Sequence, residues 1–217
     1  MTADDFAKAA AVSRETLAQF VVYKELLEKW QPRINLVGPA TLPDAWARHF
    51  LDSAQLYPLI AAALKGRSGQ AVLYDLGSGA GFPGLVLALM AAGDRRPFDV
   101  HLVESDKRKA AFLGEVCRAT GQARAVTIHT QRAASLPLER LPRADVVTAR
   151  ALAPLPELLD LAAPLLAPQG IGLFLKGARA ADELTHAGKH WKMDVERIPS
   201  RTDPSGVILR VAHLTRV

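Results

Sequence analysis

Residues 72–90 read VLYDLGSGAGFPGLVLALM, and this stretch decides the fold. An apolar run ends at Asp75, and glycines then occupy alternate positions over residues 77–81. Glycine permits positive φ and lets backbone N–H groups approach a ligand closely, because it has no Cβ. From Pro83, which suits the first turn of a helix, the sequence is apolar again. We predict a strand, a tight ligand-binding turn and a helix.

The charge beside the turn distinguishes between two ligands. Gly79, Gly81 and Gly84 match the G-x-G-x-x-G fingerprint of dinucleotide sites, and Glu104 follows at about the distance of 20 residues that the fingerprint expects. A carboxylate at Asp75 would repel a pyrophosphate but attract a cation. S-adenosylmethionine carries an ammonium and a sulfonium and no phosphate, so the pattern favours it over NAD. Glu104 would accept hydrogen bonds from ribose hydroxyls in either case. A turn without a ligand is the remaining alternative.

Strands and helices alternate after residue 70 in the manner of a doubly wound α/β sheet. Two further strands are joined by a turn at residues 203–206, so we predict a seven-stranded sheet. The predicted strands span residues 72–76, 100–103, 125–129, 145–149, 171–175, 192–198 and 207–213. The predicted helices span residues 15–30, 44–63, 83–92, 105–119, 155–167 and 180–189. We expect residues 1–69 to form a helical extension packed on a core of residues 70–217, as one globular unit.

Composition narrows the class of protein. The 217 residues carry a formal net charge of +5, which is compatible with a nucleic-acid partner. The single cysteine, Cys117, excludes an intrachain disulfide and a multi-cysteine metal site, and we predict no bound metal. Charges interrupt every apolar run before the roughly 18 residues of a membrane span, and residues 1–14 lack the features of a signal peptide. We therefore expect a cytoplasmic protein with no membrane partner.

Two cations follow predicted strands at one edge of the sheet. Arg150 follows the fourth strand and Lys176 the fifth. Ligands of such sheets bind outside the carboxyl ends of the strands, so both side chains point toward the crevice that holds Asp75 and Glu104.

The predicted helix over residues 44–63 carries two pairs of polar residues at a spacing of four. Arg48 and Asp52 share one face of this helix, as do His49 and Ser53. A surface ion pair and a buried histidine would explain these pairs without any ligand.

Six motifs occur in order through nearly the whole chain. They are Trp30 with Asn35-Leu36, Arg48-His49-x-x-Asp52-Ser53, Asp75-x-Gly77-x-Gly79-x-Gly81-x-x-Gly84, Lys107-Arg108-Lys109 with Phe112-Leu113, Arg150-Ala151 and Lys176-Gly177. Together these motifs resemble the RsmG family, also called GidB, whose members methylate a guanine N7 in 16S ribosomal RNA. The glycine turn alone indicates a class I methyltransferase, and the other motifs narrow the resemblance to this family.

The resemblance implies a fold, a reaction and a partner. The fold is the Rossmann-like α/β fold of class I S-adenosylmethionine-dependent methyltransferases. The reaction is methyl transfer from S-adenosylmethionine to N7 of a guanosine, the family's position 527 in the 530 loop of 16S ribosomal RNA, with S-adenosylhomocysteine as product. N7 has a free lone pair on the major-groove edge, so direct in-line attack needs no general base. The partner is 16S ribosomal RNA or the small ribosomal subunit, and we expect a monomer.

The functional residues of the family carry over by position. The residues implied to position the substrate are Asn35, His49, Arg150 and Lys176. The residues implied to bind the cofactor are Asp75, Gly77, Ser78, Gly79, Gly81, Phe82, Glu104, Ser105, Ala133, Ala134 and Arg150. The residues implied to bind RNA are Lys107, Arg108, Lys109 and Arg132. The family commonly has acidic residues after Arg132, where this chain has Ala133-Ala134, so contact with adenine is left to backbone groups.

Three alternatives stay open. The first is a class I methyltransferase for another RNA or a small molecule, which methyl transfer to a free metabolite but not to small-subunit RNA would favour. The second is a noncatalytic RNA-binding protein that keeps the fold, and calorimetry with S-adenosylhomocysteine would separate it from an enzyme. The third, an NAD-dependent oxidoreductase, is disfavoured by Asp75 and by the absence of a Tyr-x-x-x-Lys pair.

Overall fold

The computed structural model describes residues 1–67, 69–96 and 98–217. Its strands are β1 (Val72–Leu76), β2 (Asp99–Val103), β3 (Val126–His129), β4 (Ala144–Arg150), β5 (Leu166–Lys176), β6 (Trp191–Pro199) and β7 (Val207–Arg216). They form one seven-stranded sheet in the order β3-β2-β1-β4-β5-β7-β6. The first five strands are parallel, and β7 runs antiparallel to both β5 and β6. The predicted α/β sheet is confirmed.

Helices cover both faces of this sheet. They are α1 (Ala3–Ala10), α2 (Arg14–Trp30), α3 (Asp52–Ala54), α4 (Tyr57–Ala63), α5 (Gly84–Gly93), α6 (Lys107–Ala119), α7 (Leu155–Ala162) and α8 (Ala180–Ala187). One hydrophobic core lies under α5 and α6, and a second lies under α7 and α8. Among these described helices, none has the length and apolar character that a membrane crossing requires.

The N-terminal helices share the first of these cores. Phe6 and Phe20 pack with their ring centroids 5.0 Å apart, Phe20 and Phe50 with theirs 5.8 Å apart, and all three side chains are fully buried. Phe50 in turn packs edge to face on Phe82, which follows the glycine turn, at 5.2 Å. The apolar core thus runs from α1 to the ligand-binding end of β1. The domain boundary between residues 69 and 70 stays a prediction.

The predicted helix over residues 44–63 is wrong as one continuous helix. The π-helical segment Trp46–Leu51 precedes α3, and α4 begins only at Tyr57. A π-helix bonds residues five apart, which shifts side chains at a spacing of four relative to one another. His49 and Ser53 still touch, because the hydroxyl of Ser53 donates to the carbonyl oxygen of His49 at 2.6 Å. The predicted pair of Arg48 with Asp52 is accordingly absent from the described residues, and Asp52 binds Arg150 instead.

The helix predicted over residues 155–167 is also too long. The helix α7 ends at Ala162, and β5 begins at Leu166, five residues before the predicted start. A proline and a glycine at 168 and 170 oppose a helix there. A Cβ at Gly170 would lie 2.6 Å from the carbonyl oxygen of Ala144, so glycine permits the close approach of β5 to β4.

Tyr23 of α2 supports the glycine turn from below. Its hydroxyl donates a hydrogen bond to the carbonyl oxygen of Ala80. Its ring is fully buried and stacks on Phe82 with a centroid separation of 5.4 Å and an interplanar angle of 9°. The N-terminal helices therefore help to determine where the turn lies.

We predict that Tyr23→Ala lowers the free energy of unfolding by roughly 3–5 kcal/mol, because removing a buried ring leaves a cavity. Tyr23→Phe keeps the ring and loses only the hydrogen bond to Ala80, so it should cost about 1–3 kcal/mol. Urea unfolding of both variants measures the difference. Equal losses for the two variants would contradict the packing role of the ring.

Candidate active site

A cavity of about 880 Å³ opens at the carboxyl ends of β4 and β5. Its walls come from the N-terminal segment and from the loops that follow the strands, two parts of the chain that share one hydrophobic core. They are formed by parts of residues 36–41, the π-helical segment, residues 150–154, residues 175–179 and the turn between β6 and β7. The cavity is therefore closed on one side by the N-terminal segment. It differs from the predicted crevice, because Asp75, residues 77–82 and Glu104 are not among the residues that line it.

Arg150, at the end of β4, connects the sheet to the N-terminal segment at this cavity. Its Nη1 donates to a carboxylate oxygen of Asp52 at 3.2 Å and to the carbonyl oxygen of Arg48 at 3.1 Å. Its Nη2 lies 3.2 Å from Nδ1 of His49. Its Cζ lies 5.2 Å from the centroid of the Phe82 ring, within cation–π range. One guanidinium thus contacts the N-terminal segment and the residue that follows the glycine turn.

The contacts of His49 define its tautomer. A guanidinium can only donate, so Nδ1 accepts from Arg150 and Nε2 carries the proton. Nε2 then donates to Oγ1 of Thr41 at 2.8 Å, and this hydroxyl donates to the carbonyl oxygen of Gly38 at 2.7 Å. Burial, followed by the positive charges of Arg150 and Arg48, lowers the pKa of His49 to about 4. The ring is therefore neutral at physiological pH.

Lys176 is the second predicted cation, and it too is fixed by partners. Its Nζ donates to the carbonyl oxygen of Ala153 at 2.7 Å and pairs with Glu183 of α8 at 2.7 Å. The same oxygen of Glu183 accepts from the backbone N–H of Leu155 at 2.8 Å. The lysine side chain is only 9% exposed. Both cations that the sequence predicted at the crevice are thus neutralised by carboxylates.

The glycine turn, residues 77–81, has the backbone that its sequence predicts. The φ angles of its three glycines are +67°, +58° and +93°. The N–H groups of Gly77 and Ser78 both donate to the carbonyl oxygen of Val103, at 2.9 and 3.0 Å. The N–H of Gly81 donates to the carbonyl oxygen of Ser78 at 2.7 Å. These N–H groups bond within the protein, whereas the sequence suggested that they face a ligand.

Glu104 follows β2 and is attached to the turn. One carboxylate oxygen accepts from the N–H of Gly79 at 2.8 Å, and the other accepts from the N–H of Asp106 at 2.7 Å. The glycine turn and the start of α6 are therefore held together by one carboxylate. This is the strand end at which the sequence predicted contact with a ribose.

Asp75 lies in a different environment from the one that its sequence position suggested. We expected its carboxylate beside the ligand, but the side chain is fully buried. One oxygen accepts from the hydroxyl of Thr148 at 2.8 Å and the other from the N–H of Gly84 at 3.1 Å. Burial raises the pKa of Asp75 to about 6, and the hydrogen bond from Thr148 acts in the opposite direction. The carboxylate thus fastens α5 to the sheet.

Gly84 has a packing role in this arrangement. A Cβ at this position would lie 2.6 Å from Cβ of Asp75, so only glycine lets the helix start so close to β1. The third glycine of the fingerprint is therefore explained by contact between helix and strand.

Ser78 and Phe82 also support the turn from within. The hydroxyl of Ser78 donates to the carbonyl oxygen of Asp75 at 2.8 Å. The ring of Phe82 packs against Tyr23 and stacks on His49 with a centroid separation of 5.1 Å. Both side chains are buried, at 2% and 3% exposure. Their side chains hold the shape of the turn.

Several predicted residues lie outside the walls of the cavity. Asn35 is exposed, and its side-chain oxygen lies 3.5 Å from the amide nitrogen of Gln31, whereas the next two residues do line the cavity. Seven further predicted residues near the cofactor side are exposed or half-buried: Ser105, Lys107, Arg108, Lys109, Arg132, Ala133 and Ala134. In the described part of the chain, the structure does not bring these residues together with Arg150 and Lys176.

Sequence reasoning missed two residues that shape the cavity. Gln31 accepts from the N–H groups of Leu36 and Val37, at 3.1 and 3.0 Å, and donates to the carbonyl oxygen of Val37 at 2.7 Å. Asp52 accepts from Thr202 in the turn between β6 and β7 at 2.6 Å, in addition to Arg150. The motif that contains Asp52 was visible in the sequence, but its spacing indicated a local partner.

Within the residues that the structure describes, no cluster of three metal-ligating side chains occurs.

The neutral state of His49 predicts a dependence of stability on pH. The unfolded chain takes up a proton near pH 6.5, whereas folded His49 does so only near 4. Its contribution to stability is therefore present above pH 6.5 and is lost as the pH falls toward 4, by up to about 3 kcal/mol. Unfolding of His49→Gln should lack this loss, and exposed His190→Gln should keep it. Equally steep losses in the unchanged protein and His49→Gln would contradict the neutral histidine.

Solved structures share this fold at low sequence identity. The ribosomal protein L11 methylase of Lactobacillus delbrueckii subsp. bulgaricus is 16% identical with a TM-score of 0.55, over 75% of this chain and 79% of that one. TYW2 of M. jannaschii, solved in complex with AdoMet, is 17% identical with a TM-score of 0.53, over 76% and 77%. The fold is that of the class I S-adenosylmethionine-dependent methyltransferases.

Sequence comparison identifies the family. The chain is 55% identical over 212 residues to the ribosomal RNA small subunit methyltransferase G of Rhodospirillum centenum, covering 98% of this chain and 91% of that protein. It is 52% identical to the protein of the same name from Paramagnetospirillum magneticum, covering 100% and 98%. The sequence model of the GidB family, described as rRNA small subunit methyltransferase G, matches residues 16–205. The chain therefore belongs to the rRNA small subunit methyltransferase G family, as its motifs indicated.

Proposed function

We propose that this chain transfers a methyl group from S-adenosylmethionine to N7 of a guanosine in 16S ribosomal RNA. The observation that carries the proposal is the position of Arg150, which contacts both Phe82 after the glycine turn and His49 in the cavity wall. The cofactor side and the substrate side of the site meet at this residue. Membership of the family supports ribosomal RNA as the substrate.

S-adenosylmethionine fits the residues around the turn. Each oxygen of Glu104 accepts one hydrogen bond, and because a carboxylate has about four acceptor positions, capacity remains for ribose hydroxyls. A Cβ at Gly79 would meet no atom closer than 3.9 Å, so there is open space beside the turn. Ser105 and the backbone of Ala133 and Ala134 would border the adenine. When bound, the cofactor supplies the electrophilic methyl group.

No residue of the site is needed as a base. Guanine N7 is an unprotonated acceptor, so the lone pair can attack without loss of a proton. His49 is unsuited to the role because its Nδ1 lone pair is directed at Arg150 and its Nε2 proton at Thr41. The protein contributes by holding the base in line with the methyl group, a contribution of several kcal/mol in favourable cases.

Arg150 and Lys176 orient the guanine in this proposal. N7 and O6 are adjacent acceptors on one edge of the base, so a donor to O6 fixes the direction of N7. Their ion pairs with Asp52 and Glu183 limit the excess positive charge beside the purine, which becomes cationic in the product. Asn35 would contact the RNA at the edge of the cavity.

The remaining parts of the proposal concern the setting of the reaction. Exposed Lys107 and Arg108, half-buried Lys109, and exposed Arg132 lie near strand ends on the cofactor side, where a long RNA would pass. The substrate is free 16S ribosomal RNA or the small subunit, and the enzyme acts in the cytoplasm as a monomer.

Methyl transfer to small-subunit RNA from cells that lack this protein tests the proposal, with mapping of 7-methylguanosine. We expect one modified guanosine with the unchanged protein. Arg150→Ala and Lys176→Ala should methylate on the order of 100-fold more slowly at saturating cofactor, because the base is no longer oriented. Lys176→Ala should bind S-adenosylhomocysteine normally in calorimetry. Lys192→Ala, which removes an exposed charge from β6, is the control. Unchanged rates in both crevice variants would refute their roles, and absence of 7-methylguanosine would refute the reaction.

A further inference from the structure

Four basic side chains line the cavity, and they fall into two groups. Arg150 and Lys176 are half-buried, with side-chain exposures of 20% and 9%, and each is paired with a carboxylate at 3.2 Å or less. Three of the five donors of Arg150 and two of the three donors of Lys176 already bond protein acceptors. Each cation keeps a donor for an acceptor on a base, but its paired carboxylate cancels the charge that would attract a phosphate. Arg48 and Arg179 line the same cavity but are more exposed to solvent.

Arg48 keeps its donors available. Its side chain is 49% exposed, and its Nη1 lies 4.0 Å from the carboxylate of Asp203, which is longer than a hydrogen bond. Its backbone is fixed, because its carbonyl oxygen accepts from Arg150. The residue thus has a fixed backbone and a half-exposed guanidinium at the cavity wall, with only a long contact to Asp203.

Arg179 contributes a second guanidinium from another wall. It follows Lys176 by three residues and is exposed, just before α8. No carboxylate pairs with Arg179 in residues 1–67, 69–96 and 98–217. Arg48 belongs to the N-terminal π-helical segment and has only the long ion pair with Asp203, so the two exposed guanidinium groups come from segments far apart in the chain.

We propose that Arg48 and Arg179 bind backbone phosphates on the RNA strand that delivers the target guanosine into the cavity. Guanidinium groups bind phosphate oxygens with two parallel hydrogen bonds, and phosphate contacts fix the register of a nucleic acid on a protein. Arg150 and Lys176, each paired with a carboxylate, then contact the base, and the more exposed Arg48 and Arg179 hold the strand. This inference rests on the proposed function, because it takes RNA as the ligand.

The carboxylates of the cavity do not favour a different ligand. Asp52 and Glu183 are occupied by Arg150 and Lys176. Asp203 is half-buried and accepts from the hydroxyl and the N–H of Ser205, which lower its pKa, so it is ionised near Arg48. An RNA strand must therefore approach Arg48 from the side away from Asp203.

The salt dependence of RNA binding tests the inference. The probe is a 16S ribosomal RNA transcript, and the measured quantity is the slope of the logarithm of the binding constant against that of salt concentration. Each lost phosphate contact should reduce this slope by about 0.7–1. We expect this reduction for Arg48→Ala and for Arg179→Ala, and near-complete recovery for Arg48→Lys and Arg179→Lys, which keep the charge. Arg124→Ala removes an exposed arginine from the opposite edge of the sheet and should leave the slope unchanged.

Each outcome distinguishes the inference from the proposed function. An unchanged slope in Arg48→Ala or Arg179→Ala, or an equal reduction in Arg124→Ala, overturns the phosphate contacts even if 16S ribosomal RNA is methylated. Reduced slopes without 7-methylguanosine would leave the phosphate contacts standing and refute the reaction. Failure of the unchanged protein to bind either the transcript or the small ribosomal subunit would contradict both.

Discussion

The contact of Arg150 with Asp52 is the interaction on which the site depends. It ties the carboxyl end of β4 to the N-terminal segment, 98 residues away in the sequence. Removing either partner would leave a charge in a cavity wall without compensation, which is costly when the group is largely buried. Because Asp52 also accepts from Thr202, the same carboxylate fixes the turn between β6 and β7. The carboxylate of Asp52 therefore holds together three parts of the cavity wall: the N-terminal segment, the end of β4 and the turn between β6 and β7.

The glycine turn depends on supports of the same long-range kind. Tyr23 holds it from α2, Asp75 fastens the helix that follows it, and Glu104 binds it to the start of α6. The helical extension is thus part of the site, since its rings continue the core beneath the turn. A methyltransferase fold without these helices would lack the support of Tyr23 and one wall of the cavity.

Local sequence patterns predicted the strands and helices, and the edge of the sheet at which the strands end, well. The alternation of apolar runs with glycine and proline predicted all seven strands and therefore the edge at which Glu104, Arg150 and Lys176 would lie. The positive φ of the turn followed from glycine alone, since other residues rarely adopt it. These features depend on a few neighbouring residues, which is why the sequence was sufficient.

Partners across the fold were not predictable in the same way. Asp52 was paired with the wrong arginine because a π-helical turn changed the spacing, and the sequence carries no simple sign of such a turn. The hydrogen bond of Asp75 with Thr148 was not predictable either, because Thr148 lies on another strand, and contact of Asp75 with the cofactor stays a prediction. Whether backbone groups of Ala133 and Ala134 bind adenine stays a prediction, since no side chain there identifies the contact.

The central claim is that Asp52 acts on the reaction through Arg150. A double-mutant cycle of Asp52→Asn and Arg150→Lys, measured as the rate of methyl transfer at saturating cofactor and RNA, tests it most directly. Our account predicts strong coupling, so that the double variant is scarcely slower than the slower single variant. Losses that multiply, as for two independent sites, would contradict the account.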